Sequence, residues 1–231
     1  MPDDLSKEIV KEMTRETIIA AKEFAGKLIS PSLEEGGGLI KDTIKYWRFK
    51  NQVNILLKAK EFLSMKGLEP SRILPKTLIP LLENASLEED EAIQNKWATL
   101  LANAAREDIG YLIKPSYAEI LNELSPIEVK ILDYIYHRLN ENKEVEIIRI
   151  DFTKKEILSI IGDKYSDDYY LIIDNLFRLN LLQPTASGKS KTTLVTYNSG
   201  ENDNIDVALR TSEIVSITYL GLAFIKACNE M

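Results

Sequence analysis

Side chains able to do covalent or metal chemistry are scarce in this sequence. It holds one histidine, His137, and one cysteine, Cys228, in 231 residues. A zinc site of Cys and His ligands needs three or four of them, so that class is excluded, and no H-E-x-x-H arrangement occurs. A lone cysteine forms no internal disulfide, which fits a reducing compartment. Cys228 follows Leu222, Phe224, Ile225 and Ala227 and reads as a small core residue. His137 lies in IYHRLN, near the end of a predicted helix, where an imidazole on the surface interacts favourably with the helix terminus.

Two other patterns invite chemistry and fail on context. The tract Ser187–Thr193, SGKSKTT, contains Gly-Lys-Ser. A phosphate loop would need its first glycine at position 183, which is Gln183, and a helix following it. A strand is expected there instead, so the tract reads as a solvated loop. Glu88, Glu89, Asp90 and Glu91 are consecutive carboxylates. Successive helical residues point in different directions, so these acids complement a helix N-terminus rather than converge on a cation. The chain is therefore expected to be no enzyme, with no catalytic residue, metal ligand or cofactor.

Two binding candidates remain. The segment 41–60 carries Lys41, Lys45, Arg48, Lys50, Lys58 and Lys60 against Asp42, with Tyr46, Trp47 and Phe49 interleaved. Basic residues beside aromatics can bind nucleic acid or an anionic membrane. The same pattern suits a long helix with aromatics in the core and solvated lysines. The second candidate is the C-terminal module described below. Its would-be recognition helix carries Asp167, Asp168 and Asp174 against Arg178, a poor set for neutralising phosphates. Protein contact or a structural role suits it better. The net charge of -7 agrees: residues 1–60 hold 11 basic and 9 acidic side chains, but 61–140 hold 8 and 13, and 141–231 hold 10 and 14. Most of the surface should repel a polyanion. The first residues, MPDDLSKEIVKEM, lack the basic and apolar regions of a signal peptide. No run of about 18 apolar residues suggests a spanning helix, so the expected location is the cytoplasm.

The elements that would position these residues are mostly helical. Apolar residues from Leu5 to Leu28 recur every three or four positions with one gap, between Met13 and Ala20, until Ser30-Pro31 stops the helix. Gly36-Gly37-Gly38 reads as a joint. A second helix is expected from Leu39 to Met65, with Gly67 as its left-handed cap. A short helix spans Pro75 to Asn84, kinked or broken at Pro80. Three S-x-x-E capping boxes follow: Ser86 with Glu89, Ser116 with Glu119, and Ser125 with Glu128. The first precedes Ile93-Trp97-Leu100-Leu101-Ala104, with Trp97 a buried anchor. Past Asn140 come a strand at Val145–Ile150, a helix boxed by Thr153 and Glu156, and a helix begun by Ser166. That last helix places Leu171, Ile172, Asn175, Leu176 and Leu179 on one side. Strands at Leu194–Tyr197 and Ile205–Arg210 and a helix over Thr218–Asn229 complete the chain. From Ile127 this is the order of a winged helix.

The run PLLENASLEED, with Ile93-Gln94 and WATLLANA after it, resembles the signature of the Abi-alpha (abortive infection alpha) family. Similar blocks occur at KPSYAEILNELSPIEVKIL, Lys114–Leu132, and at SITYLGLAFIKAC, Ser216–Cys228. Lys114 stands where the family often has histidine, and Val129 where it often has alanine. The resemblance implies bacterial defence against phage by stopping the infected cell, and it brings no catalytic residues. The expectation is a mainly α protein: a helical region over 1–124, then a winged-helix-like α/β module over 125–231. It would act through a protein partner of unknown identity, with homo-oligomers open. A nucleic-acid regulator using 41–60, or a membrane-active arm of the N-terminal helices, are the alternatives.

Overall fold

A computed structural model describes residues 14–28, 46–141, 150–185, 191–198, 204–211 and 213–230. The expected features before residue 14, at Ser30-Pro31, at Gly36–Gly38 and from 39 to 45 lie outside those residues. The chain is mainly helical, with a small antiparallel sheet near its C-terminal end. It divides into two compact units, Met1–Pro126 with Lys226–Met231, and Ile127–Ile225. The last six residues thus go with the first unit, which a single cut before residue 125 does not anticipate.

The first unit contains α1 (Arg15–Leu28), α2 (Tyr46–Met65), α3 (Pro75–Ala85), α4 (Glu91–Ala104) and α5 (Ser116–Asn122). Helix α2 packs on α1 and α4, and α3 packs on α4 and α5. The stripe Ala21, Phe24 and Leu28 is the buried side of α1. Helix α4 is buried on every side in its later turns: Trp97 is 1% exposed, and Ala98 to Ala104 are all buried. The stripe Ile93, Trp97, Leu100, Leu101 and Ala104 is buried as the spacing predicts, and burial of Thr99, Ala102 and Asn103 goes beyond it. Gly67 ends α2 with φ +65. Its amide donates to Ser64 O and that of Leu68 to Leu63 O, both at 3.0 Å, the paired bonds of a left-handed helix end.

Two predicted capping boxes are corrected. Asp90, not Ser86, caps α4, its carboxylate accepting from Ile93 N at 3.0 Å. Ser86 instead sits at the end of α3 and donates to Glu83 O at 2.5 Å; Glu89 is exposed. An ionised acceptor binds an amide more strongly than a hydroxyl does, and the carbonyls at the end of α3 compete for the hydroxyl. Ser116 is the first residue of α5, capped by no side chain. Helix α3 also continues through Pro80 rather than breaking there.

The second unit runs α6 (Pro126–Glu141), β1 (Asp151–Thr153), α7 (Lys154–Ile161), α8 (Tyr169–Arg178), β2 (Leu182–Pro184), β3 (Lys191–Asn198), β4 (Asn204–Thr211), β5 (Ile214–Ile217) and α9 (Tyr219–Asn229). The last turn of α9 belongs to the first unit. One sheet has the order β1-β5-β2, and β3 and β4 form a separate antiparallel ribbon. That ribbon contains both strands predicted on either side of residues 198–204. Most of the predicted strand Val145–Ile150 lies outside the described residues; Ile150 itself is not in a strand, which begins at Asp151. The Thr153–Glu156 box is present in both halves. Ser166, however, begins no helix: a 3₁₀ turn over Asp163–Tyr165 precedes it, and α8 starts at Tyr169. The buried side of α8 is Tyr169, Ile173 and Leu176, whereas Leu171 is 73% exposed. The alternative 4-3 stripe wins because it carries the larger tyrosine ring into the core.

The start of α9 explains one cluster of small and polar residues. Thr218 Oγ1 accepts from Gly221 N at 2.8 Å and donates to Asn180 O at 2.6 Å. The threonine caps its own helix and holds it against the end of α8. That approach requires glycine: a Cβ at Gly221 would lie 2.1 Å from Leu181 O. Gly221→Ala should destabilise the second unit by at least about 3 kcal/mol, since backbone atoms must shift. Chemical denaturation of the variant measures this; a loss under about 1 kcal/mol would contradict the packing.

Candidate functional site

The basic candidate surface lies partly within the described residues. Lys41 and Lys45 lie outside them. Arg48 and Lys50 are partly buried on α2. Lys58 turns onto α4, where Nζ donates to Asn95 Oδ1 at 2.8 Å and pairs with Glu91 at 3.8 Å. These contacts hold its charge against α4 at the surface of the unit. No described helix is long and apolar enough to cross a membrane.

The polar residues of the signature segment form a clamp. Asn51 Nδ2 donates to Ser86 O at 3.2 Å, and Gln52 Nε2 to Leu82 O at 2.9 Å. Gln94 Nε2 reaches back to Glu88 O at 2.9 Å, and Glu88 Oε1 accepts from Asp90 N at 2.8 Å. Side-chain amides from α2 and α4 thus satisfy carbonyls around the α3–α4 turn. These bonds supply the partners that buried polar groups require. At the other end of α4, Asn103 is 1% exposed. Its Nδ2 donates to Ala227 O at 2.9 Å and to Glu230 O at 2.7 Å. Carbonyls at the end of a helix otherwise lack partners. Asn103 therefore fixes the chain's last turn within the first unit, beside buried Cys228. Trp97, Ser86 and Asn103 are structural residues by this geometry.

In the second unit, the Glu156 carboxylate accepts two hydrogen bonds and pairs with one cation. Tyr134 Oη donates to its Oε1 at 2.5 Å, Arg138 Nε lies 3.4 Å from the same oxygen, and Thr153 N donates to Oε2 at 3.4 Å. Burial, and then the Glu156 carboxylate, push the Tyr134 phenol above its ordinary range. Glu128, expected as part of a box with Ser125, is 4% exposed and accepts from Asn175 Nδ2 at 2.6 Å. Lys154 Nζ lies 4.8 Å from the Tyr169 ring centre and 4.2 Å from that of Tyr170, within cation–π range. An open depression beside it is lined by Lys154, Lys155, Leu158, Asp163 and Glu213. His137 is exposed, its ring edge-on to Tyr136. Among the described residues, no three of His, Cys, Asp and Glu are grouped to hold a metal. What the sequence reading missed is the outer side of α8. There Leu171 is open to solvent, with exposed Asp167, Asp168 and Asp174 about it. The signal was present in the spacing of Tyr169, Ile173 and Leu176, which already turns residue 171 outward.

The family model of abortive infection alpha matches residues 50–228. No curated protein and no solved structure matches the chain. The matched span includes all three signature blocks, the clamp around α4 and the Thr218–Gly221 start of α9.

Tyr169 yields a test of this geometry. Its side chain is fully buried and its hydroxyl has no hydrogen-bond partner among the described residues. Burial first, then Tyr170 and Glu213, push its phenol well above the ordinary value of 10.0. A folded-state value above the unfolded one gives stability that is complete below pH 10.0 and lost as pH rises beyond it. The loss should be about 1.4 kcal/mol per pH unit for one proton. Tyr169→Phe should remove that proton from the alkaline slope and change stability near neutrality by less than about 1 kcal/mol. Denaturation curves between neutral and alkaline pH would show it; an unchanged slope would contradict it.

Proposed function

This chain belongs to the abortive infection alpha family, and we propose that it serves bacterial defence against phage through protein contacts rather than catalysis. Family membership supports an abortive-infection-type role. The finer reading treats the second unit as a winged helix. Support comes from the order α6-β1-α7-α8-β2, the ribbon β3–β4 as an extended wing, and the sheet order β1-β5-β2. In that motif α8 occupies the place of the groove-reading helix.

The observation carrying the protein-contact reading is the character of α8. Asp167 and Asp168 precede it, Asp174 lies within it, Arg178 is directed to Asn175, and Leu171 between the acids is exposed. Phosphates would be repelled where a duplex reader needs cations. The buried amides of Gln94 and Asn103 support the same reading, because they satisfy backbone carbonyls instead of a substrate. The protein is proposed to act in the cytoplasm.

Expression of the intact chain in a phage-sensitive bacterium tests the role. Plaque counts should fall for susceptible phages, and infected cells should die before releasing progeny. Plaque counts equal to those on control cells across a broad phage panel would contradict it.

A further inference from the structure

We infer that the outer face of α8 is a docking surface for a cationic, partly apolar segment of a partner protein. The inference rests on the protein-contact reading above and names the surface and the chemistry of its occupant. Its first support is a division of the helix into two apolar sets. Tyr169, Ile173 and Leu176 are each no more than 1% exposed, while Leu171, on the opposite side, is 73% exposed. The core of the unit has no use for Leu171.

The second support is charge. Asp174 follows Leu171 by three residues within α8, the spacing that places residues on one side of a helix, and Asp167 and Asp168 stand four and three residues before Leu171, just ahead of the helix. The three carboxylates are exposed and have no ion-pair partner among the described residues. The helix dipole accounts for acids before α8, but not for Asp174 in its middle or for a solvated leucine. Arg178, also exposed, hydrogen-bonds Asn175 Oδ1 through Nε and Nη2, at 3.0 and 2.8 Å, and its single positive charge leaves the three carboxylates in excess. An apolar centre with an acidic rim complements a segment whose apolar side chain covers Leu171 and whose lysines or arginines meet the rim. Nucleic acid has the wrong sign for this surface.

The test joins two measurements on the full chain. A photoreactive phenylalanine analogue is placed at position 171 in infected cells, and the cross-linked segment is sequenced. The expected adduct is a partner-protein segment rich in Lys or Arg with apolar residues, and Asp174→Lys should reduce its yield about tenfold. Nucleic acid, a neutral or acidic segment, a second copy of this chain, or no adduct at all would overturn the inference. In parallel, plaque protection is compared for wild type, Leu171→Ser, Asp174→Lys and Met65→Ser, the last at an exposed residue of the first unit. The two α8 variants should lose about tenfold in protection while Met65→Ser keeps it. Thermal melts confirm that all three fold. Protection retained by both α8 variants overturns the docking surface and leaves the defence role standing. Failure of the wild type to protect removes the defence role, and the cross-link still reports on the surface.

Discussion

Two side-chain amides of helix α4, those of Gln94 and Asn103, find acceptors inside the first unit, while the buried Trp97 Nε1 has none among the described residues. Trp97 and the alanines and leucines after it supply the apolar surface that drives burial. Gln94 and Asn103 enter the same interior, where an unpaired amide would cost about 1–3 kcal/mol. Gln94 avoids that cost at the α3–α4 turn, and Asn103 at the final turn of the chain. The helix thus joins three separate stretches of sequence: the α2 amides, the end of α3, and residues 226–230. On the surface of the same helix, Asn95 and Glu91 hold Lys58.

The second unit depends on a similar economy at smaller scale. A single threonine, Thr218, caps α9 and bonds the end of α8, and Gly221 gives the backbone room to approach. Asn180 takes the left-handed position, φ 55, that ends α8. With the inner side of α8 committed to the core and its end held by α9, its outer side is free for another task. Its charges then favour a protein over a duplex.

Much of the architecture was legible because it is local. The core stripe of α4, the Gly67 helix end and the Thr153–Glu156 box depend on residues within a few positions of one another, and the β3–β4 ribbon joins strands that are neighbours in sequence. What escaped is either degenerate or non-local. S-x-x-E spacing cannot tell Ser86 from Asp90 as the cap, because both stand near the start of α4 and only packing decides. Strands β2 and β5 span three and four residues, too few for a period of two to show. Gln94 and Asn103 looked like ordinary polar positions; their partners include atoms 43 and 124 residues away. The defence role was legible only through likeness to a family. The chain's chemistry pointed away from catalysis without naming a partner, and the α8 surface emerged once burial distinguished Leu171 from Ile173.

Hydrogen exchange along α4 tests the central claim most directly. If this helix is the buried interior of the first unit, amides from Trp97 to Ala104 exchange only through global unfolding of that unit and are among its slowest. Exchange there as fast as at the exposed turn around Tyr111 would contradict the account.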